Sequence, residues 1–137
     1  MRITYIHQYF STLDSASGVR SYIFSKHLVS KGHAVTVISS DNSLPEKYKD
    51  MKKFEVDGIK VINVKTNYTP KLNFVQRVLA FIKFMIFSSY LALKTSPDIV
   101  FATSTPLTVA LPGLVVKFIK RVQFVFEVRD LWPDVQI

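Results

Sequence analysis

Apolar and polar positions change period several times along the chain, and each change marks an element. Residues Arg2 to Phe10 (RITYIHQYF) read as a buried strand. A small-polar stretch, Ser11 to Ser17, leads to Gly18, which opens the helical spacing of VRSYIFSKHLVSKGH; that helix stops at Gly32. Residues 35–40 (VTVISS) form a second strand, and the charged, weakly periodic stretch 41–57 reads as a surface excursion. Ile59 to Lys65 (IKVINVK) alternates and predicts an edge strand with one wet face. Residues 72–94 form a long helix closed by Thr95-Ser96-Pro97, because the residue before a proline avoids the helical region. Asp98 to Thr103 is an apolar strand, Pro106 opens a helix running to about Lys120, and Gln123 to Val128 is a fifth strand.

Strands alternating with helices, the strands largely apolar, predict a doubly wound parallel α/β sheet in one Rossmann-like domain. The expected strand order is 3-2-1-4-5, which opens a crevice beside strands one and four. The fifth strand has no helix after it to cover that edge, so a truncated domain is expected.

Composition narrows the chemistry. The 137 residues hold no cysteine, which excludes disulfides and thiolate metal sites. The apolar run at the N-terminus is short and follows Arg2 alone, so no signal peptide is expected there and a cytoplasmic setting fits. The net charge of +8 is uneven. Residues 58–126 carry nine Lys/Arg against Asp98 alone, and this is also the most apolar part of the chain. Basic and apolar together suggest an anionic membrane surface rather than nucleic acid. In the long helix, Lys83 interrupts a sixteen-residue apolar stretch from Val78 to Leu93, too short and too costly for a bilayer span. One sheet-facing stripe cannot use all its aromatics, so membrane contact is expected from Phe81, Phe84 and Phe87, rimmed by Lys71, Arg77 and Lys83. Cover by a partner domain or subunit is the competing reading.

The turn after the first strand resembles a nucleotide fingerprint only weakly, having Gly18 where G-x-G-x-x-G needs three glycines. Asp41 stands where a ribose-binding acid would be, and also where an ordinary turn residue would be. Gly18 and Arg20 suit a phosphate, through free N–H groups of the helix start and a charge-assisted contact. Three further strand ends converge there: His7 and Gln8; Thr103, Ser104 and Thr105; Glu127, Arg129 and Asp130. Such a set suits a many-hydroxyl ligand better than a metal, and no metal-ligand or nucleophile-elbow spacing occurs.

Four stretches resemble the N-terminal domain of a GT-B fold glycosyltransferase of family 4. They are the HQYF strand end, Gly18-Val-Arg-Ser-Tyr, the Lys31-to-Ile38 passage KGHAVTVI, and FEVRDLWPD at 126–134. The last resembles the branch that builds bacterial O-antigen, capsule and exopolysaccharide. The resemblance implies the acceptor-side half of a retaining enzyme using a nucleotide-sugar donor, with no metal and no other cofactor. Its acceptor would be a polyprenyl-diphosphate-linked glycan at the inner membrane face, and its donor-binding C-terminal domain is absent. It further implies Asp130 as the residue that orients or deprotonates the acceptor hydroxyl. Gly18 and Arg20 would contact donor phosphate, and His7, Gln8, Thr103, Ser104, Thr105, Glu127 and Arg129 would line the acceptor site. Ser17 stands where many relatives have a first glycine. The chain alone is expected to be inactive, and a non-catalytic Rossmann-like domain completed by a partner chain is the alternative.

Overall fold

The computed structural model describes residues 1–15, 19–104 and 106–129. Six strands and four helices follow in the order β1 (Arg2–Ile6), α1 (Arg20–Ser30), β2 (Ala34–Ser40), α2 (Glu46–Lys49), β3 (Lys53–Val56), β4 (Ile59–Val64), α3 (Phe74–Lys94), β5 (Ile99–Thr103), α4 (Ala110–Lys120) and β6 (Gln123–Glu127). The strands form one sheet in the order β3-β4-β2-β1-β5-β6. All pairs are parallel except β3 with β4. The expected doubly wound core is therefore present: the five anticipated strands hold their order. The 41–57 stretch is not merely a surface excursion. Its last residues add a sixth strand, antiparallel to β4, so β4 is one strand in from the edge.

The hairpin that adds β3 has a local cause. Asp57 and Gly58 take φ values of 49° and 78°, the doubly positive pair that a two-residue type I′ turn needs. The end of α1 is equally local. Gly32 (φ 85°) donates to the Val29 carbonyl at 2.9 Å and His33 to the Leu28 carbonyl at 3.2 Å, which is the Schellman arrangement. At the other end of the chain's longest helix, Asn73 and Gln76 form a reciprocal capping box, with bonds of 2.8 and 3.1 Å.

Two apolar layers flank the sheet. On one face Tyr5, Val37 and Val61 pack with Phe10, Tyr22 and Leu44. On the other, Ile6, Ile38, Val100 and Ala102 meet Phe84 and Ala92 of α3 and Val116 of α4. α3 reaches the sheet through Ala80, Phe84, Ser88 and Ala92, one stripe at four-residue spacing. By length and composition α3 could cross a bilayer, with a mean hydropathy of 1.4. That stripe instead packs it on one face of the sheet, over β2 and β4 and beside α4. The small residues of α4 work in the same way. A Cβ on Gly113 would lie 2.1 Å from Cε2 of Phe124, so glycine is what lets α4 seat on β6.

Candidate functional site

In a parallel sheet every strand delivers its carboxyl end to one edge, and the crevice opens there. β1, β5 and β6 bring His7, Gln8, Thr103, Ser104, Glu127 and Arg129 to that edge, and Arg20 reaches it from the first turn of α1. These seven of the anticipated residues are assembled as a group. Gly18, Thr105 and Asp130 lie outside the described residues.

His7 is 3% exposed and sits in a short polar chain. The Tyr5 hydroxyl donates to Ser21 Oγ at 3.1 Å, and Ser21 Oγ lies 2.7 Å from His7 Nδ1. With the serine proton directed to Nδ1, the ring is the tautomer carrying its proton on Nε2. Burial, helped by the nearby Arg129 charge, pushes the His7 pKa down to about 4, so the ring is neutral at physiological pH. Burial also raises the Tyr5 hydroxyl above its usual value, keeping it protonated as the donor of this chain.

Gln8 is fully buried, and both polar atoms of its side-chain amide have no partner among the described residues. Its carbonyl is well used, accepting from the Ser40 hydroxyl at 2.8 Å and the Ser40 N–H at 3.1 Å. The backbone is thus fixed while the amide is left to bind something else. An unmet buried amide costs about 1–3 kcal/mol, so water or a ligand is expected there.

The β5 and β6 ends are stitched together. Thr103 Oγ1 donates to Glu127 Oε2 at 2.7 Å, the Ser104 N–H donates to the Glu127 carbonyl at 3.0 Å, and the Arg129 N–H donates to Ser104 Oγ at 2.9 Å. Glu127 also takes an ion pair from Arg20. The Arg20 side chain remains 64% exposed, so the pair is open to exchange with an incoming anion. Among the described residues, Arg20, Glu127 and Arg129, with His7 neutral, give the crevice one net positive charge.

Asp41, which sequence left between a ribose acid and a turn residue, accepts from the Thr66 N–H at 3.0 Å and from Thr66 Oγ1 at 3.1 Å. It ties two loops together as a turn residue. Among the described residues no cluster of three His, Asp or Glu side chains is placed to hold a metal.

Sequence reasoning missed Tyr5, Ser21 and Ser25. α1 turns Ser21, Tyr22 and Ser25 toward the sheet, and the buried Ser25 hydroxyl has no partner among the described residues. The available signal was the pair of serines four residues apart on the same face as Tyr22, Leu28 and Val29, which pack on the core.

The membrane residues need one correction. Phe84 is 1% exposed and belongs to the core beneath α3, because it falls on the Ala80–Ala92 stripe. Phe81 is half-buried and stacks on Tyr68 at 5.8 Å. Lys71, Arg77, Lys83 and Phe87 are exposed, although Arg77 also donates to the Pro70 and Leu72 carbonyls. Phe87 shares the outward face of α3 with Phe74, Val75, Leu79, Ile82, Ile86 and Tyr90. Beside it α4 exposes Leu111, Val115, Phe118 and Ile119, which sequence reasoning did not single out.

No protein-family model matches the sequence, and no curated protein matches it either. Solved structures do match its fold. Sucrose-phosphate synthase from Thermosynechococcus elongatus aligns with 99% of this chain and 35% of its own, at a TM-score of 0.64 and 16% identity. UDP-GlcNAc 2-epimerase from Methanocaldococcus jannaschii aligns with 92% of this chain and 31% of its own, at 0.55 and 14%. The C-terminal domain of PF1911 hydrogenase from Pyrococcus furiosus aligns over 92% and 90%, at 0.58 and 18%. The chain therefore spans about a third of the length of the first two. Identities this low establish the shared fold: this is a Rossmann-like α/β domain of the kind found in those sugar-nucleotide and sugar-phosphate enzymes, and in the hydrogenase as well.

Proposed function

We propose that the chain is the acceptor-side domain of a glycosyltransferase that moves a sugar from a nucleotide-sugar donor to a lipid-linked glycan. The observation that carries this reading is the crevice. A neutral histidine, an unpartnered buried glutamine amide, two hydroxyls and an exchangeable Arg20–Glu127 pair meet where such a sheet binds its ligand. Amides, hydroxyls and a neutral imidazole are the groups that hydrogen-bond sugar hydroxyls, and Arg20 supplies the charge for a diphosphate. The FEVRDLWPD resemblance points to family 4 and to O-antigen, capsule or exopolysaccharide assembly, with Asp130 orienting the acceptor hydroxyl. Donor binding needs a second domain, and a half-site cannot hold two substrates in reacting geometry.

Saturation-transfer NMR with a water-soluble, short-chain isoprenyl-diphosphate glycan tests this. Binding that is lost in Gln8→Ala supports the reading; no binding by the unaltered chain sinks it. Measurable sugar transfer by the chain alone would overturn the half-site argument. A second reading is a non-catalytic Rossmann-like domain completed by a partner chain, since the same fold also stands as one domain of a hydrogenase, of which 90% is covered. Glycan binding discriminates against it.

The site of action in this proposal is the cytoplasmic face of an anionic inner membrane. The described α3 and α4 carry Arg77, Lys83, Lys94, Lys117 and Lys120 and no acidic residue, complementing anionic lipid around the exposed apolar face. Liposome flotation with and without anionic lipid tests it. Ile86→Ser together with Phe118→Ser should abolish flotation, and equal flotation of the variant would refute the bilayer contact.

A further inference from the structure

α3 and α4 cannot cover the whole sheet. They lie over the middle strands and β6, which leaves the α3 side of the β3–β4 hairpin open. There the structure has a groove of about 370 Å³, lined by β4 and not by β1, β5 or β6, whose ends form the crevice. Its floor is apolar, made by Ile62, Val64, Phe87 and Leu91. Its rim carries four lysines: Lys53 of β3, Lys83 of α3, and Lys52 and Lys65 from the loops just before β3 and just after β4.

The charge at this rim is largely uncompensated. Lys65 bonds Asp50 at 3.2 Å, whereas Lys52, Lys53 and Lys83 have no ion-pair partner among the described residues. The nearest acid on the same face of β3, Glu55, lines the neighbouring groove and not this one. Like charges gathered around a shared cavity repel one another and are tolerated when an anion joins them. An apolar floor is of no use to a bare inorganic anion, which would prefer backbone N–H groups and a polar pocket. Apolar floor and cationic rim together fit one chemistry: a phosphate head with a hydrocarbon tail.

We infer that the groove between α3 and the β3–β4 hairpin binds a phosphate-headed lipid of the bilayer, its phosphate among Lys52, Lys53 and Lys83 and its first methylenes along Phe87 and Leu91. The groove opens on the same side of the sheet as the exposed α3–α4 face, so one bound lipid would anchor the edge of the domain that the apolar face lies beside. The inference extends the proposed bilayer contact and is independent of sugar transfer. Its test is made in solution, so failure of flotation and failure of this site are separable.

The full chain is titrated with dihexanoyl phosphatidate below its micelle concentration, with inorganic phosphate, and with a short-chain isoprenyl diphosphate, followed by amide chemical shifts. Phosphatidate is expected to bind and to shift Ile62, Val64, Phe87 and Leu91. With roughly 1 kcal/mol per lysine near a phosphate surface, K52Q/K53Q/K83Q should weaken it roughly a hundredfold. Phe87→Ser, an exposed position, should weaken phosphatidate and leave inorganic phosphate unchanged. Phe118→Ser, on the far helix, should change neither. With binding read from the shifts of Ile62, Val64, Phe87 and Leu91, which separates the groove from the crevice, four outcomes overturn the inference: no phosphatidate binding there by the unaltered chain, equal affinity in the triple variant, inorganic phosphate binding there as tightly as phosphatidate, or isoprenyl diphosphate binding there tighter than both.

Discussion

The state of His7 can be read from the pH dependence of stability. In the unfolded chain this histidine titrates near the usual 6.5, while in the fold burial and Arg129 hold it at about 4. A depressed histidine pKa means that the folded state excludes a proton the unfolded chain binds. Its contribution is therefore fully present above pH 6.5 and is lost as pH falls toward 4. The shift of about 2.5 units is worth about 3.4 kcal/mol at 1.36 kcal/mol per unit, with about 2 kcal/mol gone by pH 5 and about 3 by pH 4. That is a large part of a typical domain stability of about 5–15 kcal/mol. Urea unfolding at several pH values checks it, with His7→Gln as the reference because an amide can still accept from Ser21. Subtracting the variant's curve removes His27, His33 and the carboxylates, which both proteins share. The difference should fall steeply between pH 6.5 and 4 and be flat above 7. A flat difference across that window would refute the buried neutral imidazole, and with it the fixed tautomer at the crevice.

Other perturbations separate packing from chemistry. Gly113→Ala gains about 0.5–1 kcal/mol of helix preference but drives a methyl into the Phe124 ring, so a net loss of about 1–2 kcal/mol is expected in urea melts; a stabilised variant would contradict the close seating of α4. Asn73→Ala removes the capping box of α3 and should cost about 1 kcal/mol, checked by the same melts. Glu127→Gln releases Arg20 from its ion pair at a stability change below about 1 kcal/mol, because the pair is partly exposed. It should raise the affinity for inorganic pyrophosphate several-fold in calorimetry, and Arg20→Gln should lower it. An unchanged affinity in both would remove Arg20 as a phosphate contact.

The parallel core was legible because β1, β2 and β5 are largely buried on both faces and read as apolar runs whatever their neighbours, while β4 shows itself by alternation. β3 was not, because KFEV is four residues with charged positions facing out, too short for alternation to stand above the surrounding lysines. The stronger signal was the Asp57-Gly58 pair between Val56 and Ile59, which marks a hairpin more firmly than the strand marks itself. At the crevice, the strand ends could be listed by counting along the sheet edge. The support behind them could not: Ser21 and Ser25 are buried polar residues on α1, and hydrophobic periodicity is blind to a polar buried face.

The same blindness explains Phe84, and correcting it strengthens the case for a covered outer face. The count of aromatics in residues 72–94 rightly required some to face outward, but which ones depends on the phase of the helix, and the small residues set that phase. Ala80, Ser88 and Ala92 let α3 lie close to the sheet and admit one large side chain, Phe84, between them. α4 does likewise with Pro112, Gly113 and Val116. Both helices thus turn small residues inward and leave large ones outside, with Phe74 80% and Phe118 73% exposed. A helix whose only partner is its own sheet has no reason to be built this way round, since outward Phe and Ile gain nothing in water. Two neighbouring helices built so leave apolar side chains that gain from any apolar cover, and the cations with no acid among their described residues favour an anionic one, as the proposed bilayer would supply.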